Sequence, residues 1–426
     1  MTKPKAMTLR VGVLALSAWL VPPVLAGSQA TVRQLADMLA AAHAANSSDA
    51  KIAEEIGGVE LTERLTSAAL STLSGGEGKR TAFALWVLSG ESAFLEPPVA
   101  ELPAGAPPSP AEQRAIAARA SDFALAYIRN LPDFRCTQTI RRLDDDYSAD
   151  YGSPVGVVGP LHLKDVIVSD LAFIRGVEKN DVRTVNGAAW SKKRAMWGLT
   201  TSGEFGSILA APFFGSAAKA KWSHWETIGG KRVAVFDYSI DRVHSKYTLT
   251  WCCDEWGRQQ EKVAYRGALF IEPASGAILR VTRRAEGISA KFPMRRSDTA
   301  VEYRTVDIGG QSWLCPVRSI ALSESFRKRS VGGVQESQNA LGHIGETGRA
   351  DAGGAKPVHD LNDVAFSDYH KFDAASTVMK FDMPPEDDKT GVPAVPDMPP
   401  AELAPAAVPT PPSKQETPPS FPVRIE

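Results

Sequence analysis

The sequence predicts an α+β protein in which an N-terminal helical module precedes a large curved antiparallel β-sheet, half-barrel-like, that is covered by a helix. Residues 263–280, VAYRGALFIEPASGAILR, alternate as two strands around a tight turn ending at Gly276, where a short loop often needs positive φ. Further strand-like runs flank this hairpin without long helices between them. Helical periodicity is confined to residues 31–90 and 109–130.

The helical module is predicted to span residues 27–96. Thr31 can cap its first helix and one of residues 47–49 can cap the second, because each precedes a run with helical periodicity. The periodicity continues through residues 61–73. Residues 97–108 are rich in Pro and Ala, which predicts a linker.

The next helix has the clearest start in the chain. Ser109 is a candidate N-cap, Pro110 occupies the first helical position, and Glu112 completes a capping box. This helix is predicted to end near Asn130. It opens a domain that extends over residues 109–382.

The rest of that domain carries short alternating runs that predict an antiparallel sheet. Two segments interrupt these runs: residues 200–214 are predicted to form a short helix or flap, and residues 327–357 a long mobile excursion. The Pro-rich tail 383–426 is predicted to be disordered. The candidate strands are 134–142, 161–175, 183–189, 222–227, 232–240, 246–252, 263–271, 277–283, 299–308, 313–323 and 363–369.

Residues 1–26 resemble a secretory signal peptide, with a positive start, the short apolar run 11–20 and a small-residue cleavage site. We therefore expect an exported protein, periplasmic or secreted, that contacts the membrane only through this peptide. Cleavage of this peptide would remove Lys3, Lys5 and Arg10, and the formal net charge would change from −1 to −4. Such a mild charge gives no electrostatic reason to expect nucleic acid as a partner.

The chain has four cysteines, and an even number in an exported protein favours disulfides. Adjacent cysteines form a strained ring, so bridges from the neighbouring pair to the other two are more plausible. Free buried thiols are the alternative. The disulfide candidates are Cys136, Cys252, Cys253 and Cys315.

Catalytic motifs are weak. Ser216 and Lys219 form an S-x-x-K pair, and residues 337–339 and 389–391 follow in the order of serine-type acyl-transfer enzymes. Their surroundings are strand-like or Pro-rich, whereas that chemistry needs a serine at the start of a buried helix. We expect no catalytic residue and no cofactor.

A metal site is not expected either. Asp144, Asp145 and Asp146 with Asp150 lack the Gly and distal Glu of a calcium-binding loop, which favours a solvated hairpin loop. His224, between two tryptophans, is interpreted as a packed strand residue rather than a base.

Large aromatic residues concentrate between positions 190 and 225. They can pack as core, since aromatics dominate cores, or line an apolar pocket on the concave side of the sheet with residues 200–214 as its flap. The candidate ligand-binding residues are Trp190, Trp197, Phe205, Phe213, Phe214, Trp222 and Trp225.

Several short motifs of the β region resemble a family of uncharacterised exported bacterial proteins. They cover roughly residues 110–380, and the resemblance implies no catalytic residue. The matching stretches are LPDFRC (131–136), VAVFDY (233–238), YRG (265–267), IEPASGAILR (271–280), VDIGG (306–310), LCPV (314–317) and YHKF (369–372).

More loosely, the strand–turn–strand of residues 271–280 looks like part of periplasmic lipoprotein-carrier and sigma-regulator domains. That resemblance implies a curved half-barrel closed by helices, with an apolar concave face. The leading hypothesis is therefore non-catalytic binding of an apolar, lipid-like or lipoprotein-like ligand in the concavity. An envelope interaction or scaffold protein, docking through its helices and tail, is the alternative, and a serine-type acyl-transfer enzyme is the third.

Overall fold

The computed structural model describes residues 28–146, 158–191, 199, 203–213, 219–254, 257–326 and 358–372. The predicted signal peptide, the excursion 327–357 and the tail 383–426 lie outside these residues. No helix in the described ranges is both long and apolar enough to cross a membrane. The helices described are α1 (Val32–Ala44), α2 (Asp49–Gly57), α3 (Ser67–Ser74), α4 (Lys79–Glu91), α5 (Pro110–Asn130) and α6 (Ser207–Ala210).

The strands of the same ranges are β1 (Ser28–Ala30), β2 (Val59–Leu61), β3 (Phe134–Asp146), β4 (Val158–Ile174), β5 (Val177–Val185), β6 (Ala188–Ala189), β7 (Lys219–Ile228), β8 (Lys231–Ile240), β9 (Thr248–Asp254), β10 (Gly257–Lys262), β11 (Ala264–Ile271), β12 (Ile278–Glu286), β13 (Met294–Ile308), β14 (Gln311–Ser325) and β15 (Val358–Lys371).

Eleven of the described strands form one antiparallel sheet in the order β6-β5-β4-β3-β15-β14-β13-β12-β11-β8-β7. Most neighbours in the sheet are also neighbours in sequence, because short hairpins join them. The predicted large antiparallel sheet is thus confirmed, and together with the helices it fits the α+β class. β9 and β10 form a separate hairpin, and β1 and β2 pair in parallel.

The helix α5 begins as its sequence predicts. The Ser109 hydroxyl accepts the backbone N–H of Glu112, whose carboxylate accepts the backbone N–H of Ser109. One stripe of α5, including Ile116, Ala120 and Tyr127, belongs to the same apolar cluster as residues from β3, β8, β11 and β13. We call the side of the sheet that carries these strand residues the α5 face.

Residues 203–213 add a second layer to the α5 face. Phe205 is 1% exposed, and its ring centroid lies 5.1 Å from that of Phe134 and 5.3 Å from that of Phe366. The Glu178 carboxylate on β5 accepts the backbone N–H groups of Gly203 and Phe205, at 3.1 and 3.2 Å. This segment, expected as a short helix or flap, contains α6 and a 3-10 turn and packs as core.

The N-terminal helices contact the opposite side of the sheet, which we call the N-terminal face. Val87 of α4 clusters with Leu143, Leu322 and Leu361, which point away from the α5 face because side chains alternate along a strand. The fit is close at Gly90, where an added Cβ would lie 2.9 Å from Leu361 Cδ1.

The helical pattern predicted over residues 61–73 is corrected by the structure. Residues Val59–Leu61 form β2, which pairs with β1, and α3 starts only at Ser67, with Thr66 as its cap. Pairing with a strand distant in sequence overrides the local helical periodicity here.

The linker has to pass from one face of the sheet to the other, because α4 and α5 contact opposite faces. It does so along the edge strand β7. Trp225 Nε1 donates to the carbonyl of Ala106 at 2.9 Å, and the Arg232 guanidinium lies 4.1 Å from the Trp225 ring centroid. These side-chain contacts hold residues 104–106 against β7 and β8.

The positive φ expected for Gly276, in the turn between β11 and β12, is confirmed. Gly276 has φ +77°, and a Cβ there would lie 2.4 Å from the carbonyl carbon of Arg119 on α5. Arg119 Nε also donates to the carbonyl of Pro273 at 2.8 Å. The turn thus needs glycine for its backbone angle and for the approach of α5.

We predict that Gly276→Ala lowers the free energy of unfolding by about 3 kcal/mol, measured by chemical denaturation. Positive φ alone costs a non-glycine residue about 1–2 kcal/mol, and displacement of α5 adds to it. Gly230→Ala is the matched control, because Gly230 has φ +78° but open space around its Cβ position. Equal losses in the two variants would mean that α5 does not approach this turn in solution.

Candidate binding groove and charged junction

The predicted aromatic site residues mostly pack into the α5-face core. Phe205 is fully buried, and Phe213, Trp222 and Trp225 are partly buried against the same cluster. Trp190 follows β6 at the far edge of the sheet, and Trp197 and Phe214 lie outside the described residues. Core packing, the alternative given above, accounts for Phe205.

A small cavity lies on the α5 face between Phe213, Phe236 and Leu269, and it measures about 10 Å³. That is room for roughly one water molecule, whereas small-molecule sites occupy roughly 300–1,000 Å³. Side chains of α5 and of residues 203–213 pack with those of the sheet in one apolar cluster on this face.

A larger groove lies between α2, α4 and the beginning of β4. Its volume is about 410 Å³. Its walls combine small residues of α2, such as Ala53, with larger apolar residues of α4, such as Phe83 and Val87, and Leu161 of β4 closes one end. Lys79, Arg80, Glu54 and Glu91 supply the polar groups.

Asp49 sets the geometry of the groove by joining the starts of α2 and α4. Its carboxylate accepts the backbone N–H groups of Arg80 and Thr81, at 3.1 and 2.9 Å, and the Thr81 hydroxyl at 2.8 Å. These hydrogen bonds, led by those from Thr81, lower the pKa of Asp49. A Cβ at Gly78 would lie 2.2 Å from the Asp49 Cγ, so this cap requires glycine at position 78.

The outward-facing side chains of α2 are smaller than those of α4. Ile52 and Ile56 of α2 pack with Leu85 and Leu88 in the helical core. The outward side of α2 offers small residues, and the groove exists because no large side chain fills the space beside Phe83.

Glu91, the last residue of α4, lies at the far end of the groove. Burial raises the pKa of this carboxyl to about 7. Asp145 and Glu60 act in the same direction, whereas His359 and Arg296 oppose the shift.

Next to Glu91, Asp145 and His359 join β3 to β15. The ring Nδ1 of His359 lies 2.6 Å from Asp145 Oδ2, and its backbone N–H donates to Asp145 Oδ1 at 2.8 Å. The hydrogen bond to Asp145 raises the pKa of His359. We call Glu91, Asp145 and His359 the charged junction.

The hairpin loop expected at Asp144–Asp146 is corrected by the structure. These residues end β3, and Asp144 and Asp145 are 2% and 4% exposed. Lys164 Nζ lies 2.5 Å from Asp144 Oδ2. Partners from β4 and β15, which are distant in sequence, make burial of these carboxylates tolerable.

Further ion pairs are buried where the N-terminal helices meet the sheet. Arg64, 5% exposed, pairs with Glu226 of β7. Arg280 of β12 lies 3.2 Å from Glu302 and donates to the carbonyl of Ala93 at 2.5 Å. Burial lowers the pKa of Arg280 to about 10, so it stays cationic. Because each charge has a counterion, we interpret these pairs as parts of the interface between helices and sheet.

His224 lies in strand β7, as its sequence position suggests. Its Nε2 is 3.5 Å from both Glu226 Oε2 and Glu96 Oε2. The hydrogen bond to Glu226 raises the pKa of His224. The ring thus joins the buried Arg64–Glu226 pair.

The cysteines give no bridge in the described part. Cys136 and Cys315 are free and buried, and the side chains of Cys252 and Cys253 lie outside it. The expected bridges from the adjacent pair to Cys136 and Cys315 are therefore not formed in the structure. Burial raises the pKa of Cys315 to about 12 and raises that of Cys136, so both thiols are unreactive at neutral pH.

Other chemistry finds little support here. Among the described residues, no group of three or more His, Cys, Asp and Glu side chains could hold a metal ion. Of the S-x-x-K pair, Ser216 lies outside the described residues and Lys219 opens β7, a strand instead of the helix that acyl transfer requires. Residues 337–339 and 389–391 also lie outside.

Sequence interpretation missed the groove and the charged junction. Lys79 and Arg80 lie in the stretch 31–90 that the sequence predicts as helical, with no functional role assigned to them, and the run of three aspartates is predicted as a loop. Nothing local indicates that His359 lies beside them.

Comparisons with known proteins give no match: no protein-family model, no curated protein and no solved structure is similar to this chain. The groove and the junction are therefore interpreted from their own chemistry.

We predict that the protein loses stability as the pH rises from about 5 to about 8. The folded state binds protons more tightly at Glu91 and His359 than the unfolded chain does. Each group therefore contributes its full stabilisation below its unfolded pKa, and this contribution is lost as the pH rises through its folded pKa. The Glu91 shift, from 4.5 to about 7, corresponds to at most roughly 3 kcal/mol. The measurement is the melting temperature against pH.

Glu91→Gln and His359→Asn should each flatten this pH dependence, since neither new side chain titrates. Glu55→Gln changes an exposed acid of α2 and should leave the slope as in the parent protein. A parent protein whose stability rises between pH 5 and pH 8 would contradict the assignment of these two groups.

Proposed function

We propose that this chain is a non-catalytic binding protein for an apolar, lipid-like or lipoprotein-like ligand, and that the ligand binds in the groove between α2 and α4. The observation that supports this is the volume of about 410 Å³ with largely apolar walls, against about 10 Å³ on the α5 face. Pockets of this size and composition are typical of small-molecule sites.

The proposal includes an architecture. The N-terminal helices act as one module, and the sheet is a curved half-barrel whose concave side is the α5 face, with α5 lying in it. The apolar cluster common to α5 and strands β3, β8, β11 and β13 supports this arrangement. In this arrangement α5 takes the place that a ligand would have in an open half-barrel.

We also propose that the protein is exported. Residues 1–26 have the features of a signal peptide, so the mature protein would begin near residue 27 and work in the periplasm or outside the cell. The intact mass of the protein purified from its own envelope tests this directly.

We predict that the neutral fluorescent probe N-phenyl-1-naphthylamine binds this protein and that Ala53→Phe weakens binding at least tenfold. The phenyl ring would occupy the middle of the groove, where Ala53 leaves space. Fluorescence titration measures the affinity. Ala41→Phe, an exposed position on α1, is the matched control and should bind as the parent does.

Trp222→Ala serves as the second arm of this experiment, because Trp222 packs against the α5-face core. If Trp222→Ala abolished probe binding while Ala53→Phe did not, the ligand would lie on the sheet and the groove would be refuted. Native mass spectrometry of the parent and Ala53→Phe should show a co-purifying apolar ligand only in the parent.

An envelope interaction protein is the second candidate function. Phe83 is 37% exposed beside Trp86, with ring centroids 5.5 Å apart, so α4 presents aromatic surface next to the groove. A partner protein could insert an apolar side chain there. A clean apo mass, with probe binding unaffected by Ala53→Phe, would favour this candidate.

A further inference from the structure

The groove is polar at one end and apolar along the rest of its length. Lys79 and Arg80 lie at the start of α4, and the wall then continues through Ala84 and Val87 to Leu88. At 1.5 Å per residue, the helix rises about 14 Å from Lys79 to Leu88. A ligand that fills this space needs one polar end and one extended apolar part.

The polar end of the groove carries two exposed cationic side chains that a ligand can reach. Lys79 and Arg80 are exposed, and among the described residues neither forms an ion pair with a carboxylate. The nearest acid on the opposite helix, Asp49, is occupied by the N–H groups that begin α4 and by the Thr81 hydroxyl. Glu54 is exposed and lies more than one turn further along α2, so it can remain solvated at the rim.

The opposite end suits the end of an alkyl chain. Pro160 and Leu161 of β4 close it, and a Cβ at Gly57 would lie 3.7 Å from Pro160 Cβ. Glu91 is the acid at this end, and its side chain is partly buried. An anionic head group there would lie next to the Glu91 carboxyl, whereas Lys79 and Arg80 stand at the other end of the groove.

We propose that the groove binds a single-chain amphiphile with an anionic head group, the head at Lys79 and Arg80 and the alkyl chain along α4 towards Leu161. This inference rests on the proposed function, since it identifies the class of ligand for the same groove. Charge complementarity at the open end selects the head group, and the small residues of α2 make room for the chain.

The test uses three probes with the same alkyl chain and different head groups: dodecanoate, dodecanol and dodecyltrimethylammonium. Each is titrated, below its micelle concentration, into the full chain, and displacement of N-phenyl-1-naphthylamine is measured. We expect dodecanoate to bind about fivefold more tightly than dodecanol, because each exposed ion pair contributes about 0.2–1 kcal/mol. Dodecyltrimethylammonium should bind most weakly.

Lys79→Gln/Arg80→Gln should remove the preference for dodecanoate and leave the affinity for dodecanol unchanged. The matched control Arg33→Gln/Lys51→Gln removes the same charge from exposed positions of α1 and α2 outside the groove, and should keep the preference. Added salt should weaken dodecanoate binding in the parent and in the control, and not in the groove variant.

The outcomes separate the two proposals. If the three probes bind equally and Ala53→Phe weakens all of them, the groove binds alkyl chains but the anionic head is refuted. If dodecyltrimethylammonium binds best and Glu54→Gln abolishes that preference, the ligand is a cationic amphiphile. If Ala53→Phe changes nothing for any probe, the groove itself is refuted and both proposals fall.

Discussion

The apolar α5 face has to be buried, and most of the remaining architecture follows from how this is done. A sheet with eleven described strands and one apolar face needs a second layer, since exposed apolar surface of that extent promotes association. The helix α5 and residues 203–213 provide it, with Phe205 among Phe134, Phe173 and Phe366. The cavity between Phe213, Phe236 and Leu269 on that side has room for roughly one water molecule.

The opposite face combines an apolar contact with α4 and buried charges. Arg64 pairs with Glu226, Arg280 with Glu302, and Arg318 with Asp363. Buried ion pairs contribute little net stability, yet loss of one partner is costly. The Arg64–Glu226 pair links the N-terminal region to β7, whereas the other two pairs join neighbouring strands of the sheet. The linker along β7 connects the two coverings, and α4 meets the sheet close to the titrating groups Glu91 and His359.

This division of roles explains why the proposed binding site lies beside the sheet. The α5 face is covered by apolar packing, and the N-terminal face by apolar packing together with ion pairs. The outward surfaces of α2 and α4, in contrast, carry no side chain large enough to fill the space between the two helices. Asp49 holds the starts of the two helices together and leaves Lys79 and Arg80 free to meet a ligand. The same helices thus stabilise the fold through one side and form a groove with the other.

The sequence by itself determined the elements whose signals are local. The capping box of Ser109 and Glu112, the positive φ of Gly276 and the alternating runs of the sheet each depend on residues within a few positions of one another. The tertiary structure decided what those elements contact. The packing of Phe205 as core, the burial of Asp144 and Asp145, the strand Val59–Leu61 and the position of His359 depend on partners far away in sequence, and no local pattern encodes these partners.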